Sequence, residues 1–74
     1  MQDYTIDAGH IEELQMTNNV QALESIFDKA RSAIVNGALV LLVRKQFDGK
    51  KEKFDEISTL ADFEIYSKQV MKYL

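Results

Sequence analysis

An α+β fold follows from three features of the sequence. Apolar residues recur at helical spacing from Val20 to Ile34, through Leu23, Phe27 and Ala30. A β-favouring run, Ala38–Lys45, leads into Asp48-Gly49 and a second strand-like run, Lys51–Ile57. After Ser58-Thr59, a second helical stripe runs through Leu60, Phe63, Tyr66, Val70 and Tyr73. The predicted architecture is one small domain over residues 1–74. A β-hairpin, with room for a short N-terminal strand, packs on two to three helices in the order (β)ααββα.

Tyr4-Thr5-Ile6 favours extended backbone and reads as an edge strand or an ordered arm. Asp7 can cap a short helix over 8–16, with Glu12 and Glu13 near its positive end. Ile11 and Leu14 give this helix a narrow apolar stripe. Asn18 and Gln21 have the spacing of a capping box, which places the start of the long helix at Asn18. Asn36-Gly37 ends that helix, because glycine takes the left-handed C′ conformation at little cost.

Asp48-Gly49 predicts a two-residue type I′ turn. That register sets Lys45 opposite Glu52, Val43 opposite Phe54, and Arg44 opposite Lys53. Thr59 and Asp62 have capping-box spacing for the last helix. One core is expected, holding Val20, Leu23, Phe27, Ile34, Leu41, Val43, Phe54, Phe63, Tyr66 and Val70.

Leu39-Val40-Leu41-Leu42-Val43 does not alternate, so both faces of this strand are expected to be covered. Two helices cover one face. The N-terminal segment, a partner or a second copy would cover the other. At 74 residues without cysteine, the domain has a modest core and no disulfide to reinforce it. No apolar run approaches a membrane span, and Met-Gln-Asp-Tyr is unlike the start of a signal peptide, so a soluble cytoplasmic protein is expected.

The charges are sorted along the chain. Residues 1–28 hold six carboxylates and no Lys or Arg. Residues 29–53 hold seven cations against two acids, and the net charge is −3. A basic centre between acidic ends can mark a surface for a charged partner.

Catalytic constellations are not legible. His10, the one histidine, forms an i, i+3 pair with Glu13, but a metal site needs ligands converging from several elements. No cysteine is present, no serine has a histidine near it in sequence, and Gly9, Gly37 and Gly49 are isolated. No enzyme activity, metal or cofactor is expected. The acidic first 28 residues could imitate phosphate in a basic groove, although Asp and Glu also favour helix starts and surfaces.

The hairpin carries the best candidate site: Arg44, Lys45, Phe47, Lys50, Lys51 and Lys53. Cations neutralise phosphates, and an aromatic ring can stack on an unpaired base. Lysines on an edge strand also guard against aggregation, which is the structural reading of the same residues.

The order helix, strand, Asp-Gly hairpin, helix touches the double-stranded-RNA-binding fold. That fold has a third strand and a basic start to its last helix, where this chain has Ser58-Thr59-Leu60-Ala61-Asp62, so this fold is rejected. The stretch from Leu39 to Gly49 and on through Ser58-Thr59-Leu60-Ala61-Asp62-Phe63 loosely resembles short accessory chains of Bacteroidota-type bacteria, ribosome-associated ones included. The resemblance spans roughly half the chain and carries over no functional residue. It implies a non-catalytic structural or binding subunit of a ribonucleoprotein. The expected partners are rRNA or other structured RNA within a larger particle, and protein neighbours or a second copy at strand 39–43. The alternative is a protein-only interaction module, either a homodimer or a small acidic inhibitor or adaptor.

Overall fold

The computed structural model describes residues 2–74. The elements are β1 (Tyr4–Asp7), α1 (Ala8–Met16), α2 (Val20–Val35), β2 (Val40–Lys45), β3 (Lys51–Ile57) and α3 (Leu60–Met71). They form a three-stranded sheet in the order β1-β2-β3, with β1 parallel and β3 antiparallel to β2. The N-terminal segment is thus an edge strand. It does not fold over the second sheet face, and α1 joins α2 and α3 in one helical layer. The molecule measures 30 × 29 × 17 Å, the thickness of a sheet with one layer of helices.

Local chemistry sets the boundaries. Asp7 ends β1 and caps α1, its Oδ1 accepting from the Gly9 amide at 2.9 Å. Asn18 does not cap α2. It closes α1 with φ of 52°, while the Asn19 amide donates to the Leu14 carbonyl at 2.9 Å and the Asn18 amide to Gln15 at 3.2 Å. Asparagine tolerates this left-handed position better than most residues. Asn19 is the cap of α2, its side chain accepting from Ala22 at 3.2 Å. Gly37 ends α2 as expected: its φ is 88°, and Ala38 and Gly37 donate to Ala33 and Ile34 at 2.9 and 3.0 Å. Thr59 caps α3 by accepting from Asp62 at 3.2 Å.

The core gathers Ile6, Ile11, Leu14, Leu23, Phe27, Ala30, Val40, Leu42, Ile57, Phe63 and Val70. Phe27 and Phe63 meet edge to face at 5.6 Å, and Tyr66 closes the group at 6.1 Å from Phe27. Arg31 joins α2 to α3 by donating to Glu64 at 2.6 Å, and its guanidinium lies 5.4 Å from the Phe63 centroid.

The expected core holds for Leu23, Phe27, Phe63 and Val70 of the helices, fails for Val20, and has the wrong parity in β2. Val40 and Leu42 are buried, while Leu41 and Val43 are half-buried on the opposite face. Val20, Phe54, Leu60 and Tyr73 are exposed, and Ile34 and Tyr66 pack at the core margin. An apolar run without alternation carries no parity signal. Parity is set instead by pairing with β1, which aligns Ile6 with Leu42.

No helix among the described residues lies over Leu41 and Val43. Their register neighbours are Thr5 and Asp7 on one side, Glu56 and Lys53 on the other. Lys53 reaches Glu56 at 3.2 Å along β3. Long side chains of this kind shield apolar surface with their stems while keeping their charges in water.

Candidate nucleic-acid interface

The turn is not the two-residue type I′ turn. Gly49 alone takes a positive φ, 90°, whereas a type I′ turn needs two such residues. The Gln46 amide donates to Lys50 at 2.7 Å and the Gly49 amide to Gln46 at 2.9 Å, closing a three-residue loop of Phe47, Asp48 and Gly49. Asp48 Oδ1 accepts from the Lys50 amide at 3.0 Å, which braces the loop.

The odd loop shifts the tip register by one. Lys45 now pairs with Lys51, Arg44 with Glu52, and Val43 with Lys53. The expected pairs Lys45–Glu52, Val43–Phe54 and Arg44–Lys53 therefore do not form. A bulge opposite the Leu42/Val43 step takes up Phe54 as an extra residue. Beyond it Leu42 pairs with Asp55, Leu41 with Glu56 and Val40 with Ile57. Loop and bulge are two one-residue offsets that cancel.

Every residue from Arg44 to Glu56 is exposed, so the hairpin forms an arm free of the core. The six expected site residues all lie on it. Phe47, at the tip, is fully exposed. Arg44 lies 2.6 Å from Glu12 of α1 and holds its guanidinium 5.8 Å from the Phe54 centroid. Lys51 lies 3.3 Å from Asp7. Lys45 and Lys50 have no carboxylate within ion-pair distance among the described residues.

Phe54 is the residue that sequence reasoning misplaced. The expected Val43–Phe54 pairing puts it in the core, but that register does not form and Phe54 is 55% exposed. Phe47 and Phe54 line one shallow groove along the arm, together with Arg44, Lys45, Gln46, Lys53 and one carboxylate, Glu52. Two rings beside a row of cations can stack flat groups and neutralise anions. The ion pairs to Glu12, Asp7 and Glu56 do not lock the cations away, since exposed pairs are worth roughly 0–1 kcal/mol and exchange readily.

A second concavity lies where α1 begins, lined by Asp7, His10, Glu13, Lys45 and Lys51 among others. His10 Nδ1 is 3.9 Å from Glu13 Oε2, with both side chains in solvent. Among the described residues no three His, Cys, Asp or Glu side chains converge to hold a metal, and no helix is long and apolar enough to cross a membrane. Asp7 has a shifted pKa. Burial raises it, but the Gly9 amide and the Lys51 ammonium outweigh burial and leave it below the ordinary carboxylate value.

Comparison with family models, with curated proteins and with solved structures finds no match.

Proposed function

We propose that this chain is a non-catalytic, cytoplasmic binding subunit that contacts structured RNA within a larger particle through the β2–β3 arm. The observation carrying this reading is the make-up of the arm. Two phenylalanines stand in solvent beside Arg44, Lys45, Lys50, Lys51 and Lys53, on an arm that also carries Asp48, Glu52, Asp55 and Glu56. Exposed aromatic rings cost solubility and gain nothing for the fold, so their place beside cations supports a contact role. The acidic remainder of the molecule opposes an unaided encounter with nucleic acid and is tolerable for a subunit docked by other surfaces.

The test is recovery of the tagged chain from its native lysate with and without nuclease, followed by charge reversal at Lys45 and Lys50. These two cations have no carboxylate partner among the described residues, so the substitution breaks no ion pair there. RNA should copurify, and the double variant should lose it. Affinity should fall with salt at a log–log slope on the order of −1 per phosphate contact. A double variant that holds RNA as tightly as the parent at every salt concentration sinks the reading.

A protein-only module is the second reading, favoured by the sheet face bearing Leu41 and Val43, over which no described residue forms a helical layer. It predicts a complex that survives nuclease and breaks when Leu41 and Val43 are made polar.

A further inference from the structure

Resting on the RNA reading, we infer that the Phe47–Phe54 groove takes unpaired nucleobases of a single strand, and that it is not a duplex-binding surface. Phe54 and Gln46 thereby join the site.

The two rings occupy different parts of the hairpin. Phe47 lies in the loop, and Phe54 is the bulged residue of β3. Lys53 pairs with Val43 and Asp55 with Leu42, so Phe54 between them has no cross-strand partner and lines the groove instead. Arg44, 5.8 Å from the Phe54 centroid, adds a guanidinium that can itself stack on a base or meet a phosphate. Lys45 and Lys53 line the same groove. The Gln46 side chain also faces it and makes no hydrogen bond among the described residues. A free carboxamide offers both a donor and an acceptor to a base edge.

Duplex RNA is recognised differently. Its bases are stacked and its deep major groove is closed to side chains, so it is held by phosphate and 2′-hydroxyl contacts across a broad basic surface. Exposed phenylalanines add nothing there. On a single strand, each base has a free face for a ring, and cations beside the rings follow the backbone.

The experiment is fluorescence anisotropy of the full chain with a labelled oligouridine of about ten nucleotides, chosen because it is unstructured. A blunt RNA duplex and oligoglutamate serve as competitors. The parent, Phe47→Ala, Phe54→Ala and the Lys45/Lys50 charge reversal are compared, with circular dichroism confirming that each is folded. The oligouridine should bind, the duplex should compete poorly, and each Phe variant should weaken binding by about 5- to 150-fold, the span of one lost stacking contact. The salt slope of the Phe variants should match the parent, because no phosphate contact is lost. If the charge reversal weakens binding while the Phe variants do not, or if the duplex binds as well as the single strand, stacking is wrong and the phosphate contact stands. If neither RNA binds, or oligoglutamate displaces RNA at lower concentration than the duplex does, the RNA reading falls as well.

Discussion

Asp7 and Lys51 join the two edge strands across β2. One oxygen of the Asp7 carboxylate accepts from the Gly9 amide at 2.9 Å, and the other lies 3.3 Å from Lys51 Nζ. The start of α1 and the tip end of β3 therefore share one charge. Neither contact is large alone, since a cap is worth about 1 kcal/mol and an exposed ion pair less. Together they fix where the arm leaves the helical layer.

This arrangement makes acid stability depend on Asp7. Its pKa is lowered in the folded state, so its contribution is fully present above the unfolded value of 3.8 and is lost as pH falls through the lower folded value. Asp7→Asn should lower stability at neutral pH and flatten the acid limb of the stability curve below about pH 4. Urea midpoints measured between pH 2.5 and 7 check this. Parallel curves for parent and variant would remove Asp7 from the account.

Phe27 should be the costliest single truncation. It is 2% exposed and touches both Phe63 and Tyr66 edge to face. Phe27→Ala should cost about 3–5 kcal/mol, a large part of the stability of a domain this size. Chemical denaturation measures it, and an unchanged midpoint would contradict the packing.

The strand parity has a direct test in two adjacent, chemically identical changes. Leu42→Ala empties a core position and should cost about 2–5 kcal/mol. Leu41→Ala on the half-buried face should cost about 1 kcal/mol or less. The reverse order of the two midpoints would mean that the other face of β2 is inside.

Gly49 holds φ at 90°, and a Cβ there would meet no atom within 4 Å. Gly49→Ala is therefore a backbone effect only, of about 1–2 kcal/mol. Amide exchange should show faster opening of the arm with little change in α2 or α3.

Much of the fold was legible because each element carries its own signal. Phe27 and Phe63 repeat at helical spacing, Gly37 and Thr59 punctuate, and Asp48-Gly49 marks a reversal. What was not legible depends on contacts between distant residues. The choice between Leu41 and Leu42 is made by Ile6, more than thirty positions away, through parallel pairing. Asp-Gly identifies a turn without giving its length, so a register built on two residues was wrong at the tip. The candidate site was legible in its cations and in Phe47, which are local to the turn. Phe54 was not, because the expected register pairs it with Val43, and the loop length that sets the register is not given by Asp-Gly.

The cancelling offsets of the arm bear on how such a chain could change length. Removing Phe54 would leave Lys53 opposite Val43 and bring Asp55 next in line opposite Leu42, so every partner in the ladder stays as it is. Ile57 would remain in the core. Loss of Phe54 is thus the deletion that keeps every existing pair, whereas loss of Glu56 would keep Ile57 opposite Val40 but bring Phe54 opposite Leu42, toward the helical layer. A lineage of this fold could gain or lose the bulged aromatic in a single three-nucleotide event. Such an event would switch the proposed contact off while leaving a folded protein behind.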